Sequence, residues 1–411
     1  MGLSIDGYDP GTSLGEMCRI FPNGGLKPVS AEVVGYRKGK TVLMPLGNLQ
    51  GVSPGCKIYP LGKKADIEVG FNLLGRVIDG LGHPIDGKGP IQSSALYPVY
   101  AEPINPLKRD RISEPIDLGL RVVNGLFTCG KGQRMGIFAG SGVGKSCLLG
   151  MMARNTRADV NVIGLIGERG REVREFIEKS LGEEGLARSV VVVATSDSHP
   201  LIRMRAAYVA TALAEFFRDQ GMDILLMIDS LTRFAMAQRE IGLVLGEPPT
   251  TKGYTPSVFS LMPKLLERTG PIEGGGSITG LYTVLVEGDD FNEPVADAAR
   301  SILDGHVTLT RELAAKNHYP AIDILQSVSR VMVDIVDKNH RTKANDMMNI
   351  VATYRRAEDL INIGAYVRGS NPEIDRAITM ISSINAFLKQ DLEEKVSFHD
   401  AKDALLKIFS R

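Results

Sequence analysis

The chain has 411 residues, 43% hydrophobic and 23% charged, with 48 basic residues balanced by 48 acidic ones. Such a length accommodates two or three domains at about 150 residues each, and the zero net charge gives no global pull toward nucleic acid, although it leaves a local basic patch open. No stretch approaches the ~20 apolar residues of a membrane span, and Asp6, Tyr8 and Asp9 interrupt the place where a signal peptide would need its apolar core.

Residues 1 to 68 are rich in glycine and short β-type segments. Ala31 to Tyr36 and Thr41 to Met44 flank Arg37-Lys38-Gly39-Lys40, which predicts a hairpin, and Asn48 to Pro60 adds another turn-and-strand pair. A small β-barrel or sandwich is the natural reading. A glycine- and proline-dense stretch from Gly80 through Pro106 reads as a loop-rich lead-in to the next region. From about residue 120 strands and helices alternate. Strand candidates are Met135 to Phe138, Asn161 to Ile166, Ser189 to Ala194, Asp223 to Ile228, Ser277 to Val286 and His306 to Leu309. Helical stretches lie at Arg171 to Ser180, Pro200 to Arg218, Leu231 to Ile241, Pro256 to Glu267 and Ala296 to Leu303. This alternation predicts an α/β fold with a mostly parallel sheet covered on both faces, whose ligands bind at the carboxyl ends of the strands. The last seventy or so residues turn helical, with Met347, Val351 and Tyr354 on one face. Ile374, Ile378, Ile381, Ile384 and Leu388 form a stripe read as core, and Phe398 to Phe409 reads as a final short helix.

The most informative segment is Ala139-Gly140-Ser141-Gly142-Val143-Gly144-Lys145-Ser146, between the strand ending at Phe138 and a helical stretch starting at Cys147. Strand, glycine loop and helix are the context of a phosphate-binding loop, in which backbone N–H groups curl around phosphate oxygens at a helix N-terminus. Lys145 would reach the outer phosphates of a nucleoside triphosphate and the Ser146 hydroxyl would ligate Mg2+. Alanine replaces the usual first glycine at Ala139, a change that suits a strand end. Cys147 lies beside the magnesium ligand, so its alkylation would block nucleotide binding; the plainer expectation is a small buried side chain. The four cysteines form no CxxC pair and no metal-ligand spacing with the six histidines, so they read as reduced thiols in a cytoplasmic protein.

The apolar strand Asp223 to Asp229 ends in a carboxylate that would hold the magnesium ion, directly or through water. Gly167-Glu168-Arg169-Gly170 follows another strand; Glu168 would polarise the attacking water and Arg169 would touch the γ-phosphate, unless the segment is simply a solvated loop opening a helix. Arg330, beyond the polar turn after Pro320, suits the charge that builds during phosphoryl transfer but equally suits a salt bridge. Tyr319 either stacks on an adenine ring or packs in the interior.

These residues resemble the rotary-type ATPases. The shared segments are Gly167 to Glu172, Ser230 to Glu240, Gly246 to Thr250, Pro256 to Ser260 and Pro320 to Ser329. Within that superfamily the chain is most similar to the flagellum-specific export ATPases, with the injectisome type III secretion ATPases second. The resemblance implies an N-terminal β-barrel domain (1–68), a RecA-like P-loop ATPase core (69–338) and a C-terminal helical domain (339–411). It matches Glu168 to the catalytic carboxylate, Lys145, Ser146 and Asp229 to the phosphate and magnesium ligands, and Tyr319 to the adenine-stacking aromatic. Arg330 matches the finger that reaches a neighbour's nucleotide, and Arg169 a γ-phosphate contact. One chain carrying both the phosphate loop and a finger for another site completes its sites only head to tail, and the family's ring is a homohexamer.

The resemblance further implies an export regulator or stator, a central stalk, export-gate membrane proteins, and export substrates with their chaperones as partners. The protein would lie in the cytoplasm, reaching the inner membrane face through those partners. Flagellar relatives carry an additional amphipathic N-terminal stretch that binds the regulator; here Met1-Gly2-Leu3 leads almost directly into barrel-like sequence, which weakens the expectation of regulator binding by that route. A non-catalytic subunit would carry glutamine where Glu168 stands. An RNA-translocating ring would need a stacking platform, and Tyr8, Phe21, Tyr36 and Tyr59 are scattered, so no nucleic-acid partner is expected. Glu287 to Asp290 reads as a solvated acidic turn, and Val367 to Pro372 as an interhelical loop or a lining of the ring's opening.

Overall fold

Burial organises the first sixty residues. Cys18 and Ile20 are buried with Arg19 exposed between them, the period-two pattern of a strand, whereas around Ala31, Val33 and Leu43 the neighbours Glu32, Val42 and Met44 are buried as well, so that part of the sheet is covered on both faces. The computed structural model, which describes residues 4–8, 11–24, 26–286, 288 and 290–410, gathers them into a five-stranded antiparallel sheet. Its strands are β1 (Ile5–Tyr8), β2 (Glu16–Phe21), β3 (Val29–Arg37), β4 (Lys40–Pro45) and β5 (Lys57–Lys64), in the order β1-β4-β3-β2-β5. The β3–β4 hairpin turns at Lys38-Gly39, as its sequence predicts. The sheet curls until its edges meet: a Cβ on Gly7 of β1 would lie 2.6 Å from the Ile58 side chain of β5. Asn48 to Pro60 contributes a turn and the first half of β5, as its sequence predicts. Phe21 and Tyr59 pack edge to face, with ring centroids 5.2 Å apart.

The glycine- and proline-rich stretch holds more structure than its composition suggests. β6 (Asp66–Val69) pairs with β8 (Ala95–Pro98), and β7 (Arg76–Asp79) joins the edge of the central sheet beside Ser189–Ala194. Four-residue strands broken by turns leave no periodicity to read.

The central sheet follows the order β16-β15-β9-β14-β12-β10-β11-β7. Its parallel members are β7, β9 (Arg134–Ala139), β10 (Val160–Ile166), β11 (Ser189–Ala194), β12 (Asp223–Asp229), β14 (Ser277–Leu285) and β15 (Gly305–Leu309). Two short antiparallel strands, β13 (Gly270–Pro271) and β16 (Val328–Ser329), flank β14 and β15. β10 and β11 are buried along their whole length, because helices cover both faces and no position alternates toward water. Burying each valine or isoleucine contributes about 1.5–3 kcal/mol, so these strands anchor the fold. The helix predicted at Arg171 to Ser180 instead runs as Gly170–Glu175, a π-helical Phe176–Leu181 and Gly182–Ala187.

Three helices close the chain: Lys338–Asn362, Pro372–Leu388 and Phe398–Ile408. Asp337, Asn371 and Ser397 cap them, each accepting a hydrogen bond from a first-turn backbone N–H. The isoleucine stripe is core only in part. Ile384 and Leu388 are buried, whereas Ile374, Ile378 and Ile381 are half-exposed. The buried end of the helix is the end that meets the central body, through Phe387 against Gly125 and Arg121 donating to the carbonyls of Ala386, Phe387 and Lys389.

Candidate active site

Strand register sets the site. Ala139 pairs with Leu285, Ile228 with Tyr282 and Leu165 with Asp229, so the carboxyl ends of β9, β14, β12 and β10 finish level along one edge. The chain leaves each end carrying a functional side chain. After β9 come Gly140 to Gly144 and the helix Lys145–Asn155. Gly142 and Gly144 have φ of 79° and 91°, a backbone that only glycine adopts freely and that the loop needs to turn its N–H groups inward.

Lys145 points back over the sheet. Its Nζ lies 2.5 Å from Asp229 Oδ1 and 3.3 Å from Glu168 Oε1. Asp229 also accepts a 2.6 Å bond from the Thr283 hydroxyl and is almost wholly buried. Burial alone would lower the Lys145 pKa, but the Asp229 and Glu168 carboxylates outweigh it and hold the ammonium charged. Glu168 is affected in the opposite sense: burial first, then the Asp229 charge, pushes its carboxyl up to about 7. Glu172 is held below its ordinary value, chiefly by a side-chain hydrogen bond from Glu168. Of this pair Glu168, one turn from Glu172, is therefore the carboxyl that holds a proton to higher pH. Gly167, at φ 71°, lets Arg233 pack against the backbone before Glu168, since a Cβ there would lie 2.8 Å from Arg233 Cβ.

Two adjoining cavities flank the glycine loop. One, of about 370 Å³, is lined by Gly140, Ser141, Gly142, Gly144, Lys145, Ser146 and Cys147 with Glu168, Arg169, Glu172 and Arg233. The other, of about 430 Å³, is lined by Val143, Cys147, Leu148 and Met151, with Tyr319, Pro320, Gln390 and Leu392 facing them. Tyr319 is 43% exposed and its ring lies against Gly144, so it opens into this cavity rather than packing in the interior. Cys147 is exposed and borders both cavities, which corrects the expectation of a small buried side chain: the first helical turn faces the loop's mouth, and burial begins at Leu148. Arg169 borders the first cavity but is largely exposed and pairs with Glu172 at 3.6 Å.

Arg330 does not join this cluster. It follows β16, which runs antiparallel to β15, and its backbone N–H bonds to Asp304 at the amino end of that strand. Five residues of β15 separate it from the loop's edge, roughly 17 Å at 3.3 Å per residue. Its guanidinium rests on the carbonyls of Leu303 and Arg300 at 3.3 and 3.4 Å, without a carboxylate partner among the described residues. Of the acidic turn after β14, Glu287 and Asp289 lie outside the described residues, while Asp290 pairs with Lys252 at 3.2 Å.

Sequence reasoning did not single out Glu172, Arg233 or Thr283. Glu172 stands one helical turn past Glu168, a spacing that could have found it. Arg233 opens the helix after Asp229, and Thr283 reaches Asp229 only through the register of β12 and β14. Gln390 and Leu392, in the second cavity, lie some seventy residues beyond Tyr319 and carry no local signal.

A lysine on a glycine loop, two carboxylates at adjacent strand ends and an open aromatic cavity form a nucleotide site. Residues 119–329 match the nucleotide-binding domain of the ATP synthase alpha/beta family, and the chain belongs to that family of ATPases. Residues 336–407 match the T3SS EscN ATPase C-terminal domain. Within the family, the chain is 51% identical over its full length to the flagellum-specific ATP synthase of Pseudomonas aeruginosa, covering 92% of that protein. The assembled ATPase EscN from the enteropathogenic E. coli type III secretion system superposes with a TM-score of 0.94 at 46% identity, covering 99% of this chain and 98% of that one. EscN in complex with its central stalk EscO gives 0.91 at 45% identity, with 99% and 98% covered. The chain is therefore a member of the flagellar and type III secretion branch. Among the described residues no helix is long and apolar enough to cross a membrane.

Proposed function

We propose that this chain is one subunit of a homo-oligomeric ring that hydrolyses Mg-ATP to energise protein export through a flagellar type III secretion apparatus. The observation that carries the reading is the Lys145–Asp229–Glu168 cluster, set at level strand ends around a phosphate loop. Lys145 exchanges its carboxylate partners for the outer phosphates. Tyr319 stacks on the base in the neighbouring cavity, opposite Leu392. Glu168, with a carboxyl near 7, takes a proton from the attacking water at Oε1 or Oε2, and the protonated carboxyl that results donates a hydrogen bond to Glu172. Arg233 and Arg169 present cationic groups to the transferred phosphoryl group.

Ser146 and Asp229 suit magnesium, since hydroxyl and carboxylate oxygens are hard ligands and the ion keeps several sites for water and phosphate. Among the described residues no cluster of three histidine, cysteine or acidic side chains offers a competing cage. When bound, magnesium neutralises charge building on the phosphates.

Arg330, a strand length from its own loop, serves the site of the next subunit. Six-fold closure, a central stalk in the ring's opening near the Val367–Pro372 loop, and delivery of substrates at an export gate belong to the same reading. Its support is the likeness to EscN as an assembled ATPase and with its stalk EscO. A flagellum-specific relative is 51% identical and a type 3 secretion system ATPase of Xanthomonas euvesicatoria 52%, so identity leaves the flagellar and injectisome roles level. ATP hydrolysis per subunit, followed across a wide range of protein concentration beside a Glu168→Gln control, tests the proposal. Specific activity should rise steeply with concentration. Full activity in a particle sized as a monomer would sink the shared-site reading.

A further inference from the structure

Two buried arginines differ in what answers their charge. Arg268, 1% exposed, donates to both Glu215 carboxylate oxygens at 2.8 and 2.6 Å and to the Val99 carbonyl at 2.7 Å. Arg205, 5% exposed, lies on the helix Pro200–Asp219 where that helix meets the N-terminal sheet. Among the described residues its Nη1 has Glu32 Oε2 at 3.4 Å and Met17 Sδ at 3.5 Å, and its Nε has no partner. Glu32 is itself a weak counter-charge, because burial pushes its carboxyl up to about 7 despite the nearby Arg205 and a 3.3 Å bond from Tyr100. A guanidinium carries five donors and keeps its proton. A buried one with a single long oxygen contact calls for an anion.

There is room for one. Arg205 lines a cavity of about 460 Å³ on the seam between the N-terminal sheet and the central body. That volume falls within the ~300–1,000 Å³ of small-molecule sites. Arg19 and Lys63 come from β2 and β5, Ile67 from β6 and Leu81 from the turn after β7. Arg19, Lys63 and Lys64 add cationic groups at the rim, against Asp66 and Glu68.

We propose that this seam is a binding site for a small phosphate-bearing molecule, separate from the phosphate loop, with Arg205 at its base and Arg19 and Lys63 at its rim. A tetrahedral phosphate accepts from several converging donors at once, which a single carboxylate does less well. Asp66 and Glu68 repel an extended polyanion and accept hydrogen bonds from a compact ligand's donor groups. The site has a route to the chemistry: the helix bearing Arg205 packs on β10 and β12, the strands that end at Glu168 and Asp229. An occupant tying the sheet to that helix would therefore modulate hydrolysis.

Equilibrium dialysis of labelled pyrophosphate, with the phosphate loop saturated by Mg-ADP, tests this. One further site per chain is expected, weakened at least tenfold in Arg205→Gln and in the double variant Arg19→Gln/Lys63→Gln, with ADP affinity unchanged. The double variant alters only exposed residues, so the test survives if Arg205→Gln fails to fold. Hydrogen exchange should slow across residues 61–68 and 81–84 on pyrophosphate binding. Absence of binding once ADP fills the loop, or binding indifferent to the double variant, overturns the proposal. So does slowed exchange that follows protein concentration without pyrophosphate, which would make the seam a contact between chains.

Discussion

The two ends of the central sheet handle charge in opposite ways. At the carboxyl ends, Lys145 lies between the Asp229 and Glu168 carboxylates, which hold its ammonium charged against burial; burial and then the Asp229 charge raise the Glu168 pKa, and a hydrogen bond from Glu168 lowers that of Glu172. At the amino ends, Arg330 rests on two backbone carbonyls at the limit of hydrogen-bond length. A cation so weakly held inside its own chain loses little when it is offered to another. On the proposed reading, one end is a site that still needs a cation from outside its own chain, and the other carries the cation that would supply a neighbour's site.

The sharpest way to break this comparison is to remove the exported part. Arg330→Ala should lower turnover by about 10³–10⁵-fold, the range for an arginine finger, while nucleotide affinity stays near wild type. Single-turnover hydrolysis beside equilibrium ADP binding checks both halves. Glu168→Gln, at the other end, should cost about 10²–10⁴-fold in turnover with assembly intact, as loss of a general base does. Mixing the two inactive variants sharpens the contrast. In rings assembled at random from equal parts, about a quarter of interfaces pair an intact base with an intact finger, and that share of activity should return. No recovery in mixed particles would place finger and base in one chain.

A pH profile tests the carboxyl end alone. The Glu168 pKa is raised, to about 7, so on the acid side the base is protonated and cannot accept a proton. The free-enzyme parameter kcat/KM should fall about tenfold per pH unit below that point and level off above it. Glu172→Gln replaces a charged acceptor of the Glu168 proton by a neutral one, which stabilises the protonated form less, so the inflection should move to lower pH. An unchanged profile in that variant would remove Glu172 from the site.

Legibility in the sequence follows how local each feature is. The phosphate loop, the apolar strand ending at Asp229 and the runs β10, β11 and β14 depend on neighbours in the chain, and the structure places them almost residue for residue. β7 and the β6–β8 pair escaped notice because four-residue strands carry too little pattern and gain their partners from afar. At the site, Thr283 and Arg233 were invisible for the same reason: register brings the first to Asp229, and a left-handed glycine lets the second approach Glu168. The exposure of Cys147 shows the limit of composition, since the residue's usual preference for burial yields to its place on the helix's first turn.

The smallest effect is expected where the two nucleotide cavities meet. Tyr319 is 43% exposed and offers one face to a base, with Leu392 across the cavity and Gln390 holding the Tyr319 carbonyl through its backbone N–H at 3.0 Å. Stacking on an aromatic ring contributes about 1–3 kcal/mol per base, and one face in an open cavity belongs at the lower end, about fivefold in affinity. Tyr319→Ala should thus raise KM for ATP by that factor with kcat unchanged, and Tyr319→Phe should restore it, because the stack uses the ring and not the hydroxyl. A fall in kcat with KM unchanged would place Tyr319 with the reacting phosphates, beside the carboxyl-end cluster, and the two cavities would then have to be read as one.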